Sequence, residues 1–266
     1  MVIDFHTHAF PDKIAVKTIK HLEDITVSTT PMHAHTDGTA DSLRAVLKKS
    51  GVDLGIVMPI CTRDGQSGSV NAFAKGLRSD GLLSFGGVFP YQNDRLDILR
   101  GLADDGFLGI KLHPEYQGCD IDSDECAEII AECERLGLLV TVHAGFDPAY
   151  SAPFKCTPEK VVRLLERVSG KNVILAHLGG QGMWDGVLDM LCGRDIYFDT
   201  AALYGNISPE TYKSVIRKHG ADKILFASDC PWEDPADGLR LLYSLGLSNE
   251  EYELITHKNA ERLLKL

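Results

Sequence analysis

The chain has no apolar run approaching the roughly 20 residues that a bilayer-crossing helix needs, so no membrane partner is expected. Its first residues, Met-Val-Ile-Asp-Phe-His, lack a basic segment followed by an apolar stretch and a small-residue cleavage site, and no signal peptide is expected. Positive charge is scarce: 27 Lys and Arg stand against 38 Asp and Glu, a formal net charge of -11. Nucleic-acid binding draws its affinity from a basic face, so no nucleic-acid partner is expected either. The seven cysteines are odd in number and include no Cys-x-x-Cys pair. All seven are read as reduced thiols, which fits a cytoplasmic protein. No Gly-x-Gly-x-x-Gly follows the first strand and no Gly-x-x-x-x-Gly-Lys-Ser/Thr occurs, so the usual dinucleotide and nucleotide-phosphate cradles are missing.

What the chain has is one pattern repeated from end to end. A short apolar, β-branched run leads into a polar loop and then a longer segment of helical period. Candidate strands are Val2–His8, Asp53–Pro59, Leu82–Phe89, Leu108–His113, Leu138–His143, Val173–His177, Asp195–Thr200 and Lys223–Ser228. Their nearly continuous apolar character is that of parallel strands buried on both faces. Helical segments lie between them. Thr39–Ser50, Ser123–Leu136 and Thr157–Val168 each end before a glycine, and Ser248–Leu266 opens on a capping-box pattern. Eight such units make either a closed (β/α)8 TIM barrel or an open doubly wound sheet. Polar residues end several different strands, as at the catalytic rim of a barrel, so a single barrel domain over residues 1–266 is expected. Asp24–Gly38, the longest irregular stretch, is expected to cover part of the mouth.

The residues at the strand ends carry the chemistry. His6 and His8 end the first strand two apart and so project together. Two converging imidazoles suit a borderline-soft divalent cation. His143, His177 and Asp229 end three further strands, each before a turn containing Gly or Pro. A buried lone histidine or aspartate is costly unless paired or coordinated. On strand four, Lys111 and His113 also share a face.

This order, His-x-His on strand one, His on strands five and six and Asp on strand eight, resembles the amidohydrolase superfamily. The surrounding phrases are similar to its amidohydrolase-related branch, which includes aminocarboxymuconate semialdehyde decarboxylase and resorcylate decarboxylases. The resemblance runs from Ile3 to the closing Asn259-Ala260-Glu261-Arg262-Leu263-Leu264. It implies a metal-dependent hydrolase-type barrel in which His6, His8, His143 and Asp229 hold one Zn2+-like ion and His177 is a catalytic neighbour. Another divalent metal or a second ion is the alternative. Lys111 is open to three readings: a carbamate bridging two metals, as in binuclear superfamily members, an unmodified cation for an anionic substrate, or a carboxylate's partner. His113 is read as a substrate or outer contact.

Other candidates are weaker. Arg63 follows strand two and could grip a substrate carboxylate, or simply pair with Asp64. His33 and His35 are read as loop residues near the mouth, and His21, His219 and His257 as lying on solvated helix faces. Tyr116, Phe146, Trp184, Tyr204 and Trp232 fall in or near loops after strands, where they either wall a pocket or only pack the loops. Cys230 is read as filler facing away from Asp229.

Two reactions use these residues. A metal-activated water would hydrolyse a small anionic amide, ester or lactone, with Asp229 moving the proton and His177 stabilising the oxyanion. Alternatively, a non-oxidative decarboxylase would hold a small carboxylic acid, aromatic or otherwise, on the metal and protonate carbon through Asp229 or His177. A third reading is a barrel that keeps its metal and only binds a ligand. The partner expected is a small anionic molecule, and base rates favour a homodimer.

Overall fold

The computed structural model describes residues 1–27 and 29–266. The predicted β-branched runs form parallel strands in sequence order. They are β1 (Ile3–Thr7), β2 (Leu54–Val57), β3 (Leu82–Ser84), β4 (Gly86–Gly87), β5 (Gly109–Leu112), β6 (Leu139–Val142), β7 (Val173–Leu175), β8 (Tyr197–Asp199) and β9 (Ile224–Leu225). Pairing runs β1-β2-β3 and β4-β5-β6-β7-β8-β9, parallel throughout. β3 and β4 are two pieces of the predicted third strand, interrupted at Phe85. Phe85 N donates to Val57 O at 3.0 Å and the next residue, Gly86, pairs with Ile110, which joins the two sets. At the other seam Phe5 N donates to Phe226 O (2.9 Å), Asp229 N to His6 O (2.8 Å) and His8 N to Cys230 O (2.6 Å), and Thr7 bridges Cys230. The ring of eight strands is thereby closed, and the fold is the expected α/β TIM barrel.

Each paired segment is shorter than the apolar run that predicted it. The ladders stop before His8, His113, His143, His177 and Asp229, because the chain turns out of pairing where it delivers these side chains to the rim. Two apolar clusters hold the barrel. Ile56, Met58, Phe85, Leu139, Ile174 and Leu225 belong to an inner cluster, while Val140, Val142, Val173 and Phe198 pack with helix residues such as Leu43, Leu47 and Ile130. β1 breaks simple alternation. Its register shifts between Asp4 and Thr7, so Phe5 joins the inner cluster and His6 still reaches the polar head of the barrel. Bulges of this kind re-aim side chains beside active sites.

The helices begin and end as their caps require. Thr39, Ser123 and Ser248 each accept a backbone N–H from their first turn, and Ser248 with Glu251 forms the full capping box. The third predicted helix is regular only over Pro158–Leu164. The irregular stretch starts later than expected, since the helix Ala15–Thr26 takes in Asp24. Ser28, within it, lies outside the described residues. The stretch does reach the mouth, where His35 N donates to Pro231 O at 2.8 Å, with His33 and His35 exposed. One reading is corrected: His219 is not on a solvated face. It is buried against Phe198 (ring centroids 3.9 Å apart), accepts from Gly193 N and meets Ile196 O at 3.0 Å, because those backbone groups need partners where the helix Pro209–His219 ends. His21 is exposed and His257 half-buried. Among the described residues no helix is long and apolar enough to cross a membrane.

The turn after β6 depends on one glycine. Gly145 has φ +85°, and a Cβ there would lie 2.3 Å from the backbone N of Gln181, to which Gly145 is bridged. Gly145→Ala is expected to lower unfolding free energy by about 3 kcal/mol or more in denaturant titration, from left-handed strain plus the clash. Gly205→Ala, at φ +76° with open space around it, should cost only about 1–2 kcal/mol. Equal losses would contradict the close-approach argument.

Candidate active site

Three side chains converge where β1 ends and the chain leaves β9. Asp229 Oδ1 is 3.3 Å from His6 Nε2 and 3.0 Å from His8 Nε2, and ligand atoms of the three lie within 4.8 Å of one another. Each ring is fixed from behind. His8 Nδ1 donates to Met58 O at 3.0 Å; a carbonyl can only accept, so a neutral ring, the form that ligates a metal, turns its Nε2 lone pair to the cluster. His6 Nδ1 meets Asp199 Oδ2 at 2.8 Å, and burial drives the pKa of His6 well below its ordinary value, so the ring is neutral and its Nε2 is likewise a lone pair. Burial also works to raise the pKa of Asp229, but the rings of His6 and His8 outweigh it and hold the carboxyl below the usual carboxylate range.

Lys111 reaches the same point from β5. Its Nζ lies 2.9 Å from His6 Nε2, and burial lowers its pKa to about 8. His177 stands on the other side. Its Nδ1 donates to Ala201 O at 2.9 Å, so its Nε2, 2.9 Å from His143 Nδ1, accepts from that ring. His143 Nε2 is then a lone pair, and it is buried without a partner. That nitrogen lies 3.9 Å from Asp147 Oδ2, which is 3.5 Å from His113 Nε2. The grouping of ligand atoms therefore places His143 with His113 and Asp147, while His6, His8 and Asp229 form their own set. Tyr116 stacks on His113 at 3.9 Å and 6° and so joins the site.

The backbone here is held in unusual conformations. His177 (φ 58°), Leu178 (φ 55°) and Asp229 (φ 66°) are left-handed, a region that Asp and His tolerate better than most residues. Leu178 N donates to Asp199 O at 2.6 Å and Asp229 N to His6 O, which keeps both turns in place. Strained residues of this sort concentrate at functional sites.

The donors fit a divalent ion. Neutral imidazole lone pairs and an ionised carboxylate, withdrawn from water and aimed at one point, are the ligand types of zinc-like sites. The chain thus carries His and Asp groups that could hold a metal. Arg63 does not join them; it is exposed and makes no ion pair with Asp64 among the described residues. Two buried carboxylates escaped the sequence reading. Asp199 accepts from His177 N and Ala201 N, both at 3.0 Å, as well as from His6. A lone acid ending the apolar run Tyr197-Phe198-Asp199 was the available signal. Asp147 follows the strand-five histidine by four residues, and only its Asp-Pro-Ala turn marked it.

An amidohydrolase family model matches residues 3–266. No curated protein sequence matches the chain. Among solved structures, 2,6-dihydroxybenzoate decarboxylase complexed with 2,6-dihydroxybenzoate is similar with a TM-score of 0.73 at 16% identity, over 100% of this chain and 99% of that one. A probable 2-pyrone-4,6-dicarboxylic acid hydrolase from Acinetobacter baumannii, with citric acid bound, gives 0.67 at 18% identity over 100% and 99%. An uncharacterised TIM-barrel protein from Bordetella bronchiseptica gives 0.74 at 17% identity over 99% and 98%. At such identities the likeness supports the fold.

Asp199 fixes the tautomer of His6, and loss of a carboxylate behind a ligand histidine typically weakens metal binding about 10–100-fold. Asp199→Asn is expected to lose zinc affinity by that factor in a chelator competition titration. Unchanged affinity would mean that the His6–Asp199 bond does not position a ligand.

Proposed function

The chain belongs to the amidohydrolase family, and from that premise we propose that it is a zinc-dependent hydrolase of a small anionic amide, ester or lactone. His6, His8 and Asp229 would hold the ion, and His143 would join through Nδ1 on passing its ring proton to Nε2 and giving up its bond to His177. When bound there, the ion supplies Lewis acidity toward a carbonyl oxygen and toward water.

The observation that carries the reading is the state of Asp229. Its Oδ1 lies 3.3 Å and 3.0 Å from the two histidine Nε2 atoms, while Oδ2 makes no hydrogen bond among the described residues and the side chain keeps 12% exposure. An ionised carboxylate with a free, reachable oxygen is a proton acceptor. Hydrolysis needs one to take the proton of the attacking water and return it to the leaving group. Decarboxylation needs an acid at carbon instead, and burial keeps His6, His113 and His143 neutral. His177 has Nδ1 engaged with Ala201, so it would meet the reaction through Nε2 alone, and stabilising the oxyanion would need that nitrogen to carry a proton in place of the one it accepts from His143. Lys111 supplies the positive charge that selects an anionic substrate, and Tyr116 over His113 gives a flat wall.

Zinc-loaded protein should release acid from members of a pooled set of small esters, amides and lactones bearing a carboxylate. Carbon dioxide release from pooled aromatic carboxylates, with no hydrolysis, would contradict the reading and favour a carboxy-lyase. His177→Ala should lower turnover about 10²–10³-fold with zinc retained, whereas His8→Ala should lose zinc and turnover together. Full metal occupancy in the His8 variant would overturn the ligand assignment.

A further inference from the structure

We propose that Cys119 and Cys126 form a peroxide-reactive dithiol, in which Cys119 attacks the oxidant and Cys126 closes a disulfide onto it. The pair lies outside the cluster of His6, His8 and Asp229, and the inference does not depend on what that cluster binds or does.

The two sulfurs are 3.3 Å apart, and the Cys126 thiol donates to Cys119. Ser123 Oγ stands 3.1 Å from the Cys119 sulfur. That hydroxyl already accepts from Cys126 N at 3.2 Å, so its own proton is free to turn to the sulfur. The Tyr91 hydroxyl is a third donor there. Hydrogen bonds to the charged form of a group favour that form. Led by Cys126, these donors hold the Cys119 thiol below its ordinary value against the opposing effect of burial. Cys126 is pushed the other way, because ionising would forfeit the proton it donates and because it is buried. The thiolate is the nucleophile, so this polarity gives Cys119 the first step and Cys126 the second.

Buried thiols are ordinarily inert. Cys61, Cys133, Cys156 and Cys230 are of that kind, each pushed up by burial. Cys119 differs in its donors and also in its cover. Tyr91, 49% exposed, lies over it and reaches the Gly118 carbonyl only at 3.4 Å. Gly118 has φ +66° and open space where a Cβ would stand, so the backbone beside Cys119 has room to move. A disulfide needs its sulfurs about 2.0 Å apart, so a closure of about 1 Å from the observed 3.3 Å is enough.

The chemistry balances with hydrogen peroxide as oxidant. The Cys119 thiolate attacks one oxygen, the O–O bond breaks, and the departing hydroxide takes the proton that Cys119 released, leaving a sulfenic acid. Cys126 then attacks that sulfur. The S–S bond forms, the S–O bond breaks, and hydroxide leaves with the Cys126 proton as water. Two thiols lose two electrons in all, and peroxide is reduced to two waters. Cys119 N donates to Pro114 O at 3.1 Å and so closes the short helix Pro114–Gln117, which follows His113 and carries Tyr116. The bridge would tie this segment to the helix Asp124–Leu136.

Exposure alone would select a different thiol: Cys192 is the one cysteine that is not fully buried, yet burial still pushes it up to about 11. Reduced protein is therefore treated with one equivalent of hydrogen peroxide per chain, alkylated in denaturant and cut before aspartates. Mass spectrometry then maps the link, with fragment ions separating Cys126 from Cys133. A Cys119–Cys126 disulfide is expected as the main oxidised species, with the other five cysteines alkylated. Cys126→Ser should leave a sulfenic acid on Cys119 that a cyclic diketone traps, and Cys119→Ser should slow peroxide consumption about 10-fold or more. Circular dichroism checks that each variant folds; if one does not, the wild-type map still decides. Oxidation of Cys192 first, a disulfide between chains, or recovery of Cys119 and Cys126 as alkylated thiols would each overturn the proposal.

Discussion

Asp199 sits at the head of the barrel and receives three N–H groups: one from the ring of His6, one from the backbone of His177 and one from Ala201. This buried carboxylate ties the first, sixth and seventh strand ends of the ring together. It sets the tautomer of His6 and pins the turn on which His177 adopts its left-handed backbone. The geometry of Asp229 follows, since its own N–H is held by the carbonyl of His6. With these bonds in place, the barrel presents neutral nitrogen lone pairs and a carboxylate to one small, largely dry volume.

Such a volume has too little positive charge of its own. Among the described residues Lys111 is the one ammonium whose Nζ is bonded into the cluster, and burial already pulls its pKa down to about 8. Imidazoles kept neutral by burial cannot supply the rest. A divalent cation would resolve the imbalance at His6, His8 and Asp229. The hydrolysis we propose, in preference to decarboxylation, rests on the free oxygen of Asp229 as an acceptor of protons in surroundings with few donors.

Much of this was legible in the sequence. Apolar runs marked every barrel strand, because parallel strands buried on both faces leave no other pattern, and ligand-type residues at their tips marked the rim. The family resemblance, not the runs themselves, implied that His6, His8, His143 and Asp229 form one ligand set. What the runs did not reveal depends on contacts remote along the chain. Asp199 becomes meaningful only when His6, 193 residues away, lies 2.8 Å from it. Asp147 reads as a loop residue until the turn after β6 folds it under His113. His219 looked solvated because a helix-end histidine usually is, and the backbone groups that bury it come from another loop. The bulge in β1 was invisible for the same reason: it is a property of how β1 pairs with β2.

Anomalous diffraction at the zinc edge from crystals of the zinc-loaded protein tests the central claim most directly. A peak about 2.0–2.2 Å from His6 Nε2, His8 Nε2 and an Asp229 oxygen is the expected result. A fully occupied zinc bound elsewhere, with these three side chains still in contact only with one another and with Lys111, would contradict it.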